Sequence, residues 1–149
     1  MNHNLFSRLR EGFPEEEATF IERADSSKIS YADVVAMSGR LANALGGFGL
    51  CPGDRVAVQV DKSAESLLLY LATVRAGGVF LPLNTGYTPA EIEYFLGDAE
   101  PAVFVCDPAR LASLEPVATA IGARTLTLDA NGAGTLIEAA ARSSDAFDT

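Results

Sequence analysis

The spacing of apolar residues changes several times along the 149-residue chain, and each spacing predicts a different element. After Ser30, apolar residues recur every three or four positions, which predicts a long amphipathic helix. Its buried stripe comprises Val34, Met37, Leu41, Leu45 and Phe48. Ser30 and Asp33 form a capping signature at the start, and the glycine-rich run 46–49 is predicted to end the helix.

Beyond this helix, short β-type runs alternate with helical segments. The runs begin at Val56, Val79, Ala102 and near Thr125, about 23 residues apart, which leaves room for the crossover that parallel strands require. Residues 88–91, Thr-Pro-Ala-Glu, mark one helix start with a cap, a proline and a capping-box glutamate. Because the runs are apolar throughout, helices should cover both sheet faces. The pattern predicts an α/β fold of three layers, with a mostly parallel sheet between helices.

The first thirty and the last seven residues lack this alternation. Residues 4–12 are predicted to form a short amphipathic helix, and the runs 19–21 and 28–30 a β-hairpin. The end of the chain is polar and resembles a linker. We therefore divide the chain into an amino-terminal helix and hairpin (1–30), an α/β subdomain (31–142) and a polar linker-like tail (143–149).

Composition and charge exclude several functions. The net charge is −9 and the eleven Lys and Arg residues are scattered, so nucleic acid is not an expected partner. The densest apolar stretch, Leu67–Val74, is too short for a bilayer, and residues 1–4 show no signal-peptide pattern. We expect a cytoplasmic protein without a membrane partner. A single histidine, His3, and the distant Cys51 and Cys106 give no metal-ligand spacing, so no metal site is expected.

Two glycine clusters have the composition of nucleotide-binding loops. The run 46–49 follows a helix and precedes a strand, the reverse of a phosphate loop, which favours a helix stop. Gly132-Ala133-Gly134 follows a strand and precedes a helix, which is the better context. No basic or hydroxyl residue is placed there to bind a phosphate, so a flexible connection is favoured over a phosphate loop.

The loop Asn84-Thr85-Gly86-Tyr87 is the best candidate for ligand binding. It is predicted to leave the carboxyl end of a central strand, the edge where open α/β sheets bind ligands. Gly86 allows close approach of a ligand or another backbone, and Tyr87 offers a ring and a hydroxyl. The simpler interpretation is that Asn84 closes a turn and caps the helix start. We carry Asn84, Thr85, Gly86 and Tyr87 forward as candidate residues of a substrate channel.

Several short motifs follow one another in a recognisable order. They are Gly-Asp-Arg-Val at 53–56, Ser-Ala-Glu at 63–65, Arg-Ala-Gly-Gly-Val-Phe at 75–80, Pro-Leu-Asn at 82–84 and Glu-Tyr-Phe-Leu at 93–96. With this order and spacing, the chain resembles the amino-terminal part of the adenylate-forming acyl-CoA synthetases. That superfamily includes firefly luciferase and peptide-synthetase adenylation domains. The opening residues 4–6 and the segment 20–31 are most similar to bacterial malonyl-CoA synthetases.

The resemblance implies a function for the full-length enzyme. It would be an AMP-forming acid-CoA ligase that joins malonate, or a methyl-substituted malonate, to CoA through an acyl-adenylate, with release of pyrophosphate. Its cofactors and substrates would be ATP, Mg²⁺, CoA and a small carboxylate. Such enzymes belong to fatty acid metabolism.

The resemblance carries over no catalytic residue. No Ser/Thr-Gly-Thr-Thr-Gly-like phosphate loop occurs in the chain, and Gly86 stands where some relatives carry an arginine for a CoA phosphate. We therefore expect residues 1–149 alone to be inactive and to bind none of these cofactors. The rest of the enzyme, or self-association, should cover the surface of such a fragment. The alternative is a stand-alone, non-catalytic α/β binding or interaction module; the polar tail 143–149 favours the fragment.

Overall fold

The computed structural model describes residues 2–149, which form six helices and six strands. In chain order these are α1 (Leu5–Arg10), β1 (Thr19–Glu22), β2 (Lys28–Ser30), α2 (Tyr31–Gly47), β3 (Arg55–Gln59), α3 (Ala64–Arg75), β4 (Val79–Pro82), α4 (Pro89–Ala99), β5 (Val103–Cys106), α5 (Leu111–Ala120), β6 (Arg124–Thr127) and α6 (Thr135–Ala141). A 3₁₀ turn, Pro108–Arg110, separates β5 from α5. No helix in the described part of the chain is both long and apolar enough to cross a bilayer.

The sheet confirms the predicted fold class. Four parallel strands lie in the order β4-β3-β5-β6, and β1 and β2 form a separate antiparallel hairpin. Val56 and Val58 of β3 pack with the helices α2, α3 and α6 on one face. Ala57 of β3 and Phe104 of β5 pack with α4 and α5 on the other. The helices that follow β3 and β5 therefore lie on opposite faces, which makes the gap between these two strands the topological switch point of the sheet.

The glycine-rich run 46–49 ends α2 as predicted: the helix stops at Gly47, and Gly49 follows in the left-handed region with φ of 97°. Asp107 caps the 3₁₀ turn Pro108–Arg110, which leads directly into α5 at Leu111. The predicted caps are confirmed, because α2 begins with a Ser30–Asp33 capping box and α4 with the equivalent box at its own start.

The two cysteines are free and lie in different environments. Cys51 is exposed, whereas Cys106 is buried at the carboxyl end of β5. Burial raises the pKa of the Cys106 thiol to about 11, so this thiol is protonated and unreactive at neutral pH. It is a small apolar group of the core.

The tail 143–149 lies against α2. Arg40 Nη1 donates to the carbonyl oxygen of Ser143 at 2.6 Å. The Asn43 side-chain amide donates to the carbonyl oxygens of Ser144 and Ala146 at 2.8 and 2.9 Å. The division of the chain at residue 143 remains a prediction, but in this structure the tail is an ordered layer over the helix.

The buried guanidinium of Arg75 connects this tail to two helices. Only 4% of Arg75 is exposed. It donates to Val35 O at 2.7 Å, Ser38 Oγ at 2.9 Å, Phe147 O at 3.3 Å and Thr149 Oγ1 at 3.0 Å. No carboxylate of the described residues forms an ion pair with it, and burial lowers the pKa of Arg75. The guanidinium is therefore hydrogen-bonded only to uncharged acceptors. Two of these acceptors, Phe147 O and Thr149 Oγ1, belong to the tail.

Candidate functional site

Two adjoining cavities open at the carboxyl edge of the parallel sheet. The larger one, about 920 Å³, lies between α3 and β4, and the smaller one, about 280 Å³, lies at the switch point between β3 and β5. Val60, Asp61 and Thr85 line both. The candidate site is therefore one continuous edge with two compartments, and its larger compartment has the size of a ligand pocket.

The larger compartment is mainly apolar. Its apolar lining residues are Val58, Val60, Leu67, Tyr70, Phe80, Pro82 and Leu83. Leu67 is 41% exposed there, and the rings of Tyr70 and Phe80 meet edge to face at 5.4 Å. This groove is open because β4 lies at the sheet edge and none of its four residues is fully buried. It can hold an apolar chain, from a ligand or from another part of a protein.

The smaller compartment is polar. Gln59, Asp61, Asp107 and Arg110 contribute to its lining. Asp107 Oδ1 accepts a hydrogen bond from the backbone of Ala109 at 2.8 Å, so one carboxylate is committed to the 3₁₀ turn. Two carboxylates face one guanidinium here, and this balance does not favour a polyanion.

The candidate loop 84–87 lies at this edge. Asn84 closes it as a turn: its Oδ1 accepts from the Gly86 amide at 2.8 Å and its backbone oxygen from the Tyr87 amide at 3.1 Å. Thr88, not Asn84, caps α4. Asn84 and Thr85 line the larger compartment and Thr85 also the smaller one, whereas Gly86 and Tyr87 line neither. The Tyr87 ring stacks on Phe95 of α4 at 4.8 Å.

The strand before this loop is not central, which corrects the expectation from sequence. The chain crosses from β4 over β3 to reach β5, so β4 lies at the edge of the four-stranded sheet. The loop therefore borders the switch point from one side instead of occupying it. Local sequence cannot reveal this, because strand order depends on the direction in which each crossover runs.

Two residues that sequence reasoning missed hold the loop in place. Gln59 Nε2 donates to Asn84 O at 2.9 Å and to Tyr87 O at 3.3 Å. Arg110 donates to Thr85 O at 3.2 Å and to Tyr87 O at 2.8 Å. The one available signal was a polar residue, Gln59, directly after the apolar run 56–58 of β3.

The hydrogen bonds of Gln59 contribute little net stability. The side chain is 1% exposed and its Oε1 has no partner among the described residues. An unpaired buried oxygen costs about 1–3 kcal/mol, whereas each amide bond contributes about 0.5–1.5 kcal/mol net. The two effects nearly cancel, so the clear consequence of Gln59 is the geometry it imposes on the loop.

The second glycine cluster is a close-packed turn, whereas the sequence favoured a flexible connection. Asp129 Oδ1 accepts from the amides of Asn131 and Ala133 at 2.8 and 2.9 Å, so these donors are occupied. A Cβ on Gly134 would lie 2.2 Å from Thr127 O, and the φ of Gly134 is 140°. The turn needs glycine for packing and offers no free row of amides to a phosphate.

The motif residue Glu65 has a structural role. Its carboxylate forms an ion pair with Arg23, which connects α3 to the end of the hairpin. The Glu65 carboxylate also packs against Gly132, where it occupies the position that a Cβ would need. In residues 2–149 no group of three His, Cys, Asp or Glu side chains is placed to hold a metal ion.

Comparison with known proteins assigns the chain to a protein family. The model of the AMP-binding enzymes matches residues 6–148. The chain belongs to the AMP-binding enzyme family, and the resemblance to adenylate-forming enzymes is confirmed.

Three individual proteins show how similar the chain is to its relatives in sequence and structure. The crystal structure of MatB from Rhodopseudomonas palustris is 52% identical over the whole chain, with a TM-score of 0.97. The anthranilate CoA ligase AuaEII shares the fold at 20% identity, with a TM-score of 0.84 over 99% of the chain. Tyrocidine synthase 2 from Brevibacillus parabrevis is 35% identical over 101 residues, which are 68% of this chain. The chain spans 30% of MatB, 28% of AuaEII and 3% of the tyrocidine synthase.

Proposed function

We propose that this chain is the amino-terminal part of an ATP-dependent acid-CoA ligase that acts on malonate or methylmalonate. The observation that carries the proposal is the 52% identity to MatB over the whole chain. The substrate is taken from the resemblance of residues 4–6 and 20–31 to bacterial malonyl-CoA synthetases. The peptide-synthetase relative reaches 35% over two thirds of the chain. Membership of the AMP-binding enzyme family over residues 6–148 favours an enzyme over a stand-alone binding module.

In the proposed reaction the carboxylate attacks the α-phosphate of ATP, and pyrophosphate leaves. The CoA thiol then attacks the acyl-adenylate, which releases AMP and forms the thioester. Both steps need cationic or N–H donors at developing negative charge. The carboxyl edge described here does not fit that need. Arg110 donates to loop carbonyls, and the lining's exposed Lys62 is outnumbered by the carboxylates of Asp61 and Asp107. We assign the contacts to the triphosphate, Mg²⁺ and the CoA phosphates to other parts of the ligase.

The contribution of this chain is then a wall of the substrate channel. Asn84 and Thr85 line the large groove, and the turn at Gly86 is exposed beside it. We propose that the loop 84–87 borders the path of the acyl-adenylate or of CoA without taking part in bond making.

The sheet edge formed by β4 is a second proposed contact. Val79 is 50% exposed, and the amides of Val79 and Leu83 point inward to β3. Since donors alternate along a strand, Pro82 removes an amide that would face outward, which makes β4 a weak template for another strand. We therefore expect side-chain packing by the rest of the ligase to cover this edge, ahead of self-association.

A chimera tests whether this chain can serve as the amino-terminal part of such a ligase. The matched 30% of MatB is replaced by this chain, and pyrophosphate release with ATP, CoA and malonate is measured. We expect a folded chimera with malonate-dependent release and a KM for malonate close to that of MatB. The matched segment of AuaEII, grafted in the same way, is the control that should fail to restore activity. A chimera that folds and binds ATP but shows no malonate-dependent release would contradict the proposal.

The channel role of the loop is tested by Gly86→Trp in this chimera. A Cβ on Gly86 meets only Asn84 Oδ1, at 3.2 Å, so a large side chain can be accommodated toward solvent and the groove. We expect the KM for CoA or for malonate to rise about tenfold with kcat changed less than about threefold, the pattern of lost uniform binding. Gly97→Trp is the control, because Gly97 is exposed on α4 with nothing within 4 Å of its Cβ position. Equal kinetics for the two variants would show that the loop is only structural.

A further inference from the structure

We infer that Gln59 and Arg110 are positioning residues that fix the loop 84–87 against the substrate channel. This inference rests on the proposed function, because it assigns the two side chains to the channel wall. Neither residue belongs to a motif that marks the family in this sequence, and neither is placed to react.

The contacts converge on the loop from the centre of the sheet. Gln59 ends β3 and Arg110 follows β5, the two strands that flank the switch point. Together they donate to the backbone oxygens of Asn84, Thr85 and Tyr87. Tyr87 O receives a donor from each side chain. Since β4 is an edge strand, these four hydrogen bonds connect the loop that follows it to the middle of the sheet.

The direction of the hydrogen bonds explains why these residue types are present. Every loop group involved is a carbonyl oxygen, so only donors can bind it. A guanidinium carries donors alone, and a glutamine amide provides two N–H groups. Gln59 directs both hydrogen bonds of its Nε2 to the loop, while its Oε1 has no hydrogen-bond partner. A fully apolar side chain of similar volume would fill the same space without holding the carbonyls.

The first experiment uses the whole 149-residue chain. Gln59→Met and Arg110→Met are compared with wild type by amide hydrogen exchange and thermal unfolding. We expect the Gly86 and Tyr87 amides to exchange about tenfold faster, with melting temperatures within about 4 °C of wild type. Arg55→Met is the matched control. Arg55 begins β3, at the end of the sheet opposite to the loop, and its Nη1 donates to the carbonyl oxygen of Ala99 at 3.1 Å. It should leave loop exchange unchanged.

The second experiment uses the MatB chimera. Gln59→Met and Arg110→Met should raise the KM for CoA or malonate about tenfold and change kcat less than about threefold, while Arg55→Met changes neither. Arg110→Lys, which keeps a donor, should recover part of the effect. Gln59→Glu should disturb the loop most above the pKa of the new carboxyl, since an ionised carboxylate only accepts. Protonation restores one donor, so protection of the loop amides should rise as the pH falls through that pKa.

Two results would overturn the inference. One is unchanged protection of Gly86 and Tyr87 in both Met variants, or a loss of protection that is equal throughout the chain. The other is faster loop exchange with an unchanged KM for every substrate of an active chimera. An inactive parent chimera would contradict the proposed function, whereas loop exchange in the isolated chain would still decide whether Gln59 and Arg110 hold the loop.

Discussion

Replacing Arg75 by Ala should lower the free energy of unfolding by about 3 kcal/mol. The change removes all four donated hydrogen bonds of the guanidinium and its contact with the Phe6 ring, whose centroid lies 4.7 Å away. The half-buried carbonyl oxygen of Phe147 loses its donor, and that of Val35 loses the guanidinium but keeps Ser38 Oγ, at 3.2 Å. Removing a buried charge returns part of this cost, because its desolvation penalty disappears as well.

Chemical unfolding and hydrogen exchange measure this effect separately. The midpoint in urea should fall, and tail residues 143–149 should lose protection in the folded state. Arg40→Ala is the control on the same tail. It removes one hydrogen bond to Ser143 O and a half-exposed ion pair with Asp145 at 3.8 Å, so the loss should be smaller, about 1 kcal/mol. Equal effects of the two substitutions would show that burial of Arg75 does not determine the stability of this region.

Replacing Gly134 by Ala should destabilise the chain by about 2–4 kcal/mol. The φ of 140° is unfavourable for any residue with a Cβ, and that Cβ would lie 2.2 Å from Thr127 O. The turn must therefore shift, and this shift should disturb the two hydrogen bonds between Thr127 and Thr135. In these contacts Thr127 N donates to Thr135 Oγ1 at 2.9 Å, and Thr135 N to Thr127 Oγ1 at 3.0 Å.

Gly46→Ala is the matched glycine substitution. Gly46 is exposed in the last turn of α2 with open space around its Cβ position, so alanine should stabilise the helix by about 0.5 kcal/mol. Thermal unfolding of the two variants should move in opposite directions. If Gly134→Ala is as stable as wild type, the turn is not close-packed in solution and the expectation of a flexible connection is restored.

The parts of the fold that depend on neighbouring residues could be predicted from sequence. The capping box of α2 needs only Ser30 and Asp33, and the start of α4 needs only residues 88–91. The three-layer architecture follows from regular spacing and from strands that are apolar on both faces. These signals are local or periodic, so one sequence contains them.

The parts that depend on distant segments could not be predicted. The crossover from β4 to β5 leaves β4 at the edge of the sheet. The candidate loop, which follows β4, therefore lies beside the switch point and not in it. The donors that hold the loop, Gln59 and Arg110, are separated from it by more than twenty residues in the chain. The environment of Arg75 requires a tail that begins almost seventy residues later. Only the folded arrangement brings such groups together.

The central claim is that this chain is the structural amino-terminal part of a ligase whose chemistry lies elsewhere. Pyrophosphate release with ATP, Mg²⁺, CoA and malonate, measured for the isolated chain and for the MatB chimera side by side, tests it most directly. We expect release by the chimera and none above background from the isolated chain, which contains no phosphate-loop sequence. Malonate-dependent pyrophosphate release by the isolated 149 residues would contradict the claim.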